Sequence, residues 1–511
     1  VRVDLSNRMQ GHDYRSLAGG ACTCRDDGGK ECVPDHVHDR CITDDGSCTC
    51  LDEDGAECEH MFDFNVTNLH AHGSHVRPDY ARGGSACEER VEGGVVLACR
   101  ECGDDVCGDT SDDACFHGDN VLTAVHPNRG AQYRWDIDED GTHHEGLNWY
   151  HPHIHGTTAI QVASGAAGAW IVRGELDALD GVRDARERVM VISTPPIGEG
   201  GFEALPDGVE CSDSTITFND FETLGATDVK QRTLINGVRR PRMLTPPGQV
   251  ERWRFVHAGF LDEVFLGLFR GADASCESFS TAEADTIRLT QIGRDGITLP
   301  EAFEYDYLFM SPGYRIEAML GGAEQLKDGE TWCLVAARFL QDGDDDGGFS
   351  EETFSLAPPS KEGVLARFAS DGDVVAVLNV TESAGTATTQ TLPSYAAIAA
   401  LAPATELEGI SADDRCAAAA DVTDPAEIDE AAILQVGFWT ADDPDPCDCP
   451  NYNVNCRNFE STDRSLRPFD RDLRLDAVEH WRVTASFDGH PFHIHINPFI
   501  ACPNENPFDP L

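Results

Sequence analysis

Lysine and long apolar runs are the two features that this 511-residue sequence has least of. Only four lysines occur, and Lys and Arg together number 38 against 91 Asp and Glu, a formal net charge of −53. A chain of that charge repels phosphate backbones, so nucleic acid is not expected as a partner. No apolar stretch approaches the roughly 20 residues of a membrane-spanning helix, so no membrane span is expected either.

Cysteine, by contrast, is abundant and unevenly placed. Of 20 cysteines, seven lie within 22–58 and five within 87–115, and ACTCRDDGGKEC and SCTCLDEDGAEC repeat one C-x-C-x7-C pattern. Gly- and Asp-rich stretches cannot bury a core, so we expect stabilising disulfides formed in an oxidising compartment, and predict a secreted or periplasmic protein. A zinc site at Cys99, Cys102 and Cys107 is the alternative. If all twelve cysteines pair, at least one disulfide joins the two segments, because each holds an odd number.

Short stretches that alternate or run apolar between Gly, Pro, Asn and Asp dominate the rest of the chain and indicate β-strands. Asn236-Gly237 predicts a tight hairpin, and one helix is predicted within 394–402. Many short strands separated by turns predict an all-β protein built of sandwiches. Composition suggests a first domain (1–180) with Cys-rich inserts at about 10–60 and 80–117, a second (181–383), a linker (384–430) and a third domain (431–511).

Histidines fall into three groups that share one spacing, at the sequences HAH, HPH and HPFHIH. In a strand, side chains two residues apart project from the same face, so each H-x-H pair presents two imidazoles side by side. Neutral imidazole suits zinc, copper, iron or nickel. We therefore predict seven metal ligands: His70, His72, His151, His153, His490, His493 and His495.

The remaining histidines are not predicted to be ligands. His75 and His155 lie close to the motifs, and we leave both outside the ligand set. Five others have no such partner and are predicted to be surface or core residues: His36, His38, His117, His126 and His257.

A zinc hydrolase is one alternative for the first group. The spacing His70-x-His72-x-x-His75 is that of the H-x-H-x-D-H motif of metallo-β-lactamases. That motif needs an aspartate where this sequence has Ser74, and it leaves HPFHIH unexplained. The zinc-hydrolase interpretation is therefore disfavoured.

The stretches NLHAHGSHVRP, WYHPHIHGTTAIQVASGAAGAWIV and HPFHIHINPF resemble the first three of the four copper motifs of the multicopper oxidase (laccase-like) family. RTLINGVRRPRMLTPPGQVERWRFVHA is similar to the start of that family's second domain. The resemblance covers nearly everything outside the Cys-rich inserts and the linker. It implies three cupredoxin-like Greek-key β-sandwich domains, of which the third is incomplete here.

The resemblance also implies a role for each ligand. His70 and His493 would bind the type 2 copper, and His490 the type 1 copper. The type 3 copper pair would be held by His72, His151, His153 and His495. Asp119, in HGDNVL, matches an acid that the family places near the cluster, so it is a candidate catalytic residue, although an ordinary turn residue is the alternative.

One family motif has no counterpart in this sequence. The fourth, an H-C-H sequence that supplies the type 1 cysteine, does not follow His495, and Cys502 is not preceded by a histidine. We therefore expect a longer chain, with four copper ions in the complete protein and a 511-residue piece that is inactive alone.

The predicted function is the oxidation of a small reducing substrate by O2, which is reduced to water. Phenols or aromatic amines are favoured over Cu(I), because the six methionines are not clustered into soft thioether sites. Oxidation of metal ions is one alternative, and a non-catalytic copper-binding surface protein is another. The oligomeric state is left open.

The missing fourth motif generates a test. We predict that the 511-residue chain takes up Cu(II) through its histidines yet shows no absorption band at about 600 nm, because that band requires a type 1 thiolate. An absorption spectrum of the copper-loaded chain checks this, and an intense blue band would contradict it.

Overall fold

A computed structural model gives the fold. The residues that it describes are 1–9, 11, 14–15, 21–26, 29, 48–52, 55–56, 58, 62–76, 90–92, 95–97, 118–121, 123–135, 137, 143–154, 156–197, 230–231, 233–259, 263–338, 361–402, 434–439, 453–454, 481–485, 492–495 and 499. The chain divides into two compact units. The first comprises 1–403 with 495–497, and the second comprises 404–494 with 498–511.

The first half of the first unit contains eleven described strands and two short helices. They are β1 (Arg2–Ser6), β2 (Tyr14–Arg15), β3 (Thr23–Asp26), β4 (Cys48–Leu51), β5 (Phe62–Asp63), β6 (His70–His72), β7 (Arg90–Glu92), β8 (Val95–Leu97), β9 (Arg129–Arg134), β10 (Gly146–His151), α1 (Thr158–Ala163), β11 (Gly168–Val172) and α2 (Glu175–Ala178). Two sheets, β1-β9-β8-β7 and β11-β10-β6, are the larger ones here.

These two sheets enclose a core around Tyr133 and Trp135 of the β9 segment, both almost fully buried. Val3 of β1 lies opposite Tyr133 in the antiparallel ladder, and Trp170 of β11 packs against the same cluster from the other sheet. Because each strand turns alternate side chains inward, the two faces meet as a sandwich.

The remaining elements of the first unit include the strands of two larger sheets. They are β12 (Arg186–Ser193), β13 (Pro196–Ile197), β14 (Lys230–Gln231), β15 (Leu234–Ile235), β16 (Arg242–Thr245), β17 (Val250–His257), β18 (Val264–Gly271), β19 (Phe279–Ser280), β20 (Thr286–Ile287), β21 (Leu289–Arg294), β22 (Ile297–Tyr305), β23 (Tyr307–Met310), β24 (Arg315–Gly321), β25 (Thr331–Arg338), α3 (Lys361–Asp371), β26 (Asp373–Val380) and α4 (Tyr395–Ala399). The sheets run β15-β12-β17-β24-β21-β22 and β16-β26-β25-β18-β19, and a second core lies between them.

Strand β17 explains the unusual sequence ERWRFVHA. Its Trp253 and Phe255 enter the second core, whereas Arg252 and Arg254, which alternate with them, project to the opposite face. Both guanidinium groups are buried and donate to Glu317 of β24, at 2.6 and 2.8 Å, and to Asp177 of α2, at 2.8 and 2.9 Å. Buried charges need such pairing, so α2 is anchored to the second sandwich.

The second unit contributes one described sheet of three strands. Its members are β27 (Leu434–Trp439), β28 (Asn453–Val454) and β29 (Trp481–Ala485), in the order β28-β27-β29. The predicted all-β class is confirmed by these sheets. The predicted domain boundaries stay predictions.

One hairpin and one helix that the sequence predicts are present in the structure. Asn236 and Gly237 both have positive φ, 51° and 73°, and Ile235 and Val238 pair on either side, which confirms the hairpin. Helix α4 confirms the helix predicted within 394–402. Helices α1 and α3 were not predicted, because six and eleven residues of mixed polarity give little helical periodicity.

Disulfides are present in the first Cys-rich insert, as predicted. Cys22 pairs with Cys58, and Cys24 pairs with Cys50 across the antiparallel strands β3 and β4. The two halves of the C-x-C-x7-C repeat are thus bonded to each other. A further disulfide, Cys276–Cys333, lies in the second sandwich. The predicted disulfide between the two inserts lies outside the described residues, as do Cys99, Cys102 and Cys107.

No helix among the described residues is long and apolar enough to cross a membrane.

Candidate metal centre

The first two histidine groups lie side by side on neighbouring strands. β6 pairs antiparallel with β10, and this register places His151 opposite His70 and Trp149 opposite His72. His70 and His72 are two residues apart, so both rings project from the same face of the sheet. All three histidines are buried. Strand pairing therefore concentrates imidazoles that lie about 80 residues apart in sequence.

One metal-binding group consists of His70, His72 and His151, whose ligand nitrogens all lie within 4.8 Å of one another. The His72 Nδ1 and His151 Nε2 atoms are 3.1 Å apart. Two imidazole nitrogens bound to one ion at about 2.0 Å each lie about 3 Å apart when the angle between them is near 100°. The separation therefore fits a shared metal ion as well as it fits a hydrogen bond.

A second group consists of His70, His153 and His495, with ligand nitrogens again within 4.8 Å of one another. The ring centroid of His495 lies 4.3 Å from that of His70 and 4.9 Å from that of His153. His495 belongs to the first compact unit, together with the strands that carry the other rings. His70 is a member of both groups, so the two groups form one continuous cluster of five histidines.

Hydrogen bonds fix which ring nitrogens face the cluster. The Nδ1 atom of His151 lies 2.7 Å from the Pro152 carbonyl oxygen, which can only accept, so Nδ1 carries the proton and Nε2 is the ligand atom. The His70 Nδ1 atom donates to the Asp119 carboxylate at 2.8 Å, which likewise assigns Nε2 as the ligand atom. Metal-binding histidines are commonly oriented by such second bonds.

Asp119 holds both the ring and the backbone of the first motif. Its Oδ2 accepts from His70, and its Oδ1 accepts from the backbone N–H of Ala71 at 2.9 Å. The carboxylate is 3% exposed, and burial raises its pKa. The carboxylate of Asp119 therefore contacts His70, a predicted ligand. The catalytic role of Asp119 stays a prediction.

Burial also sets the protonation of the imidazoles. Desolvation is the largest cause that lowers the pKa of His70, His151 and His495, and neighbouring histidines lower it further. A lowered pKa means that the rings stay neutral at and below pH 7. Neutral imidazole is the form that binds metal, so the cluster is poised for binding without first losing protons.

Helix α1 follows the HPHIH segment and contacts the chain just before β6. Gln161 of α1 donates through Nε2 to the carbonyl oxygens of Phe64 and Val66, at 3.1 and 2.6 Å, and accepts from the Thr67 hydroxyl at 2.7 Å. One side chain therefore ties the segment after HPHIH to the segment that enters β6.

The second sandwich supports the turn after His72. A Cβ atom on Gly73 would lie 2.5 Å from Nη2 of Arg315, and Gly73 has a φ of +85°, so no larger residue fits. The buried Arg315 donates to the carbonyl oxygens of Gly313 and Asp295, at 2.8 and 3.0 Å. Its guanidinium charge is one of the causes that lower the pKa of His70.

The structure brings together five of the seven predicted ligands. His490 lies outside the described residues, and His493, in the second unit, has an exposed side chain, so the roles of both stay predictions. His126 and His257, which were predicted to be surface or core residues, are buried in the core. His75 is half-buried. Four other histidines that were not predicted as ligands lie outside the described residues: His36, His38, His117 and His155.

Comparison with known proteins gives matches among solved structures. No protein-family model and no curated protein sequence matches the chain. A multicopper oxidase from Campylobacter jejuni, described as a metallo-oxidase, is 17% identical, with 82% of this chain and 64% of that chain covered and a TM-score of 0.45. One from Pediococcus acidilactici is 16% identical, with 82% and 59% covered and a TM-score of 0.44.

A variant of a multicopper oxidase from the hyperthermophile Aquifex aeolicus is 15% identical, with 77% of this chain and 60% of that chain covered and a TM-score of 0.43. The three structures named here are multicopper oxidases. They belong to the family that the histidine motifs resemble. This chain spans about 60% of the length of the structures it matches.

Replacing Asp119 by asparagine tests how the first ligand is held. The amide oxygen can still accept from the Ala71 N–H, but its NH2 group then faces His70 Nδ1. That contact moves the ring proton to Nε2, the ligand atom. We predict that Asp119→Asn weakens copper binding by about 10- to 100-fold, with little change in melting temperature. Isothermal titration with Cu(II) measures it, and unchanged affinity would show that Asp119 does not orient His70.

Proposed function

We propose that this chain holds the oxygen-reducing copper cluster of a copper-dependent oxidase. The observation that supports it is the pair of three-histidine groups that share His70. One group suffices for one ion, so two groups joined at a common ring suit metal ions held close together. The donor set is nitrogen alone, which suits copper, and copper stands at the top of the divalent affinity order.

The proposed assignment of ligands to ions is the one that the resemblance to multicopper oxidases implies, and the spacing of the rings supports it. We assign His72 and His151, whose nitrogens are 3.1 Å apart, to one copper ion of a binuclear pair. His153 and His495 are assigned to the other. His70 is assigned with His493 to the third copper ion, and His490 to the separate type 1 copper. Four ions in the complete protein are thus proposed.

Copper ions bound at these positions supply the one-electron redox chemistry by which O2 is reduced to water. The residues of the chain prepare the site for it. Burial lowers the pKa of His70, His151 and His495 and so favours their neutral form. Asp119 and the Pro152 carbonyl keep the ligand nitrogens of His70 and His151 directed at the cluster. Such fixed polar groups cost little reorganisation during electron transfer.

The proposed reductants are phenols or aromatic amines. Soft thioether sites that suit Cu(I) need several methionines close together. The six methionines of this chain are not clustered in its sequence, so Cu(I) is disfavoured as the substrate. Ferrous or manganous ions are the second class, because a surface with a formal charge of −53 concentrates cations.

The metal site itself is tested by removing the second motif. We predict that His151→Ala combined with His153→Ala removes most of the copper that the 511-residue chain retains after dialysis, since each metal-binding group loses a ligand. Copper is counted by atomic absorption, with excess Mg²⁺ present to occupy weak carboxylate sites. The matched control is His143→Ala with His144→Ala, a neighbouring pair that belongs to neither metal-binding group.

Equal loss in both double variants would mean that copper binds to histidines in general, and equal retention would remove HPHIH from the site. Tight zinc binding that copper cannot displace would contradict the copper assignment.

Oxygen uptake tests the activity. We predict that the complete copper-loaded protein consumes O2 with a phenol as reductant, with a kcat/KM at least about tenfold above that for Cu(I) or Fe(II). An oxygen electrode measures each rate under the same conditions. Faster turnover of a metal ion would replace the phenol by that ion as substrate, and bound copper without turnover would favour a non-catalytic copper protein.

A further inference from the structure

Asn68 lies two residues before His70, where the chain enters β6, and its side chain is 1% exposed. A buried amide must satisfy its donor and acceptor atoms within the protein, because unsatisfied polar groups are costly. The partners that Asn68 uses belong to the other two segments of the metal centre.

Both ends of the amide bind backbone groups. The Oδ1 atom of Asn68 accepts from the backbone N–H of His153 at 2.6 Å, and its Nδ2 donates to the carbonyl oxygen of Val121 at 2.7 Å. Val121 lies two residues after Asp119, which holds His70. One side chain therefore joins the segments that carry His70, Asp119 and His153.

Strand geometry explains why a side chain is needed here. β10 ends at His151, and β6 begins at the opposite residue, His70. Continuing the same register by two residues would place His153 opposite Asn68. The ladder stops before that point, because Pro152 has no N–H and the chain turns into the loop that leads to α1. The Asn68 amide replaces the missing strand partner of His153 and fixes the backbone of a residue that lies beyond the sheet.

We propose that Asn68 is a positioning residue of the copper centre, which holds His153 in place through the backbone N–H of that histidine. This proposal rests on the proposed function, since it concerns the same cluster. Holding the backbone of His153 also sets the position of its ring, whose centroid lies 4.9 Å from that of His495.

Asn7 provides a matched control within the same sandwich. It is also a buried asparagine whose Nδ2 donates to two carbonyl oxygens, of Asn65 at 2.6 Å and Val125 at 2.8 Å, and whose Oδ1 accepts from the Met9 N–H at 3.0 Å. Asn7 thus bridges segments as Asn68 does, but none of its partners carries a member of the histidine cluster. We expect its removal to lower the stability of the sandwich and to leave the metal centre unchanged.

The experiment compares Asn68→Ala, Asn68→Ser, Asn68→Asp and Asn7→Ala in the 511-residue chain. Alanine removes both hydrogen bonds, and serine is too short to reach both partners, so serine serves if the alanine variant does not fold. Aspartate keeps the oxygen that accepts from His153 but loses the donor to Val121, so it tests the bond to His153 separately. One readout needs no copper: hydrogen exchange at the His153 amide, followed by fragmentation mass spectrometry. The other is the electron paramagnetic resonance spectrum and affinity of bound Cu(II).

We expect Asn68→Ala or Asn68→Ser to speed exchange at the His153 amide by about tenfold or more. The same variants should weaken Cu(II) binding by about 10- to 100-fold and alter the copper hyperfine splitting. Asn68→Asp, which keeps the acceptor for the His153 N–H, should retain slow exchange at that amide. Asn7→Ala should lower the melting temperature and leave the spectrum and the exchange at His153 unchanged.

Wild-type exchange and a wild-type copper spectrum in Asn68→Ala or Asn68→Ser would overturn the positioning role. So would a spectral change of equal size in Asn7→Ala, because the effect would then be one of stability alone. If the wild-type chain takes up no Cu(II), the proposed function fails, whereas the exchange comparison still decides whether Asn68 holds His153.

Discussion

The antiparallel pairing of β6 with β10 is the constraint on which the metal centre depends. Its register sets His151 opposite His70 and turns the buried rings of His70, His72 and His151 to one face of the sheet. Because side chains alternate along a strand, a slip of one residue would send every ring to the opposite face. These three histidines can therefore serve together as ligands only while this register is kept. The sandwich core around Tyr133 and Trp135, which includes Ala71 of β6, therefore also stabilises the site.

Around this pairing, the rings are held by neutral or acidic groups that fix their nitrogens. Asp119 bonds His70, the Pro152 carbonyl bonds His151, and the Asn68 amide bonds the backbone of His153. All three bonds are made between groups of the protein itself, and the ligand nitrogens of each three-histidine group lie within 4.8 Å of one another. A prearranged site avoids the entropic cost of collecting ligands from a mobile chain.

Much of this centre could be predicted from the sequence, because the spacing of neighbouring residues and their backbone preferences determine local structure. The two-residue spacing of His70 and His72 fixes a shared face in any strand, and the imidazole set restricts the metal. The hairpin at Asn236-Gly237 was predictable because positive φ at two successive residues favours that pair. The resemblance to multicopper oxidases added Asp119, which the structure places against His70.

The supporting residues could not be predicted, because their roles arise only when distant segments meet. Asn68 has no distinctive spacing, and its partners at 121 and 153 lie more than 50 residues away. Arg315 reaches the turn at Gly73 from another sandwich, about 240 residues along the chain, and no periodicity links the two. Short helices such as α1 also escape prediction, since their position is set by contacts such as that of Gln161 with Val66.

The central claim is that copper binds where the histidine motifs meet. Anomalous diffraction at the copper absorption edge, from crystals of the copper-loaded 511-residue chain, tests it most directly. We expect anomalous peaks about 2 Å from the ring nitrogens of the two groups that share His70. Copper found only at the Cys-rich inserts or at surface carboxylates, with no peak among these five rings, would contradict it.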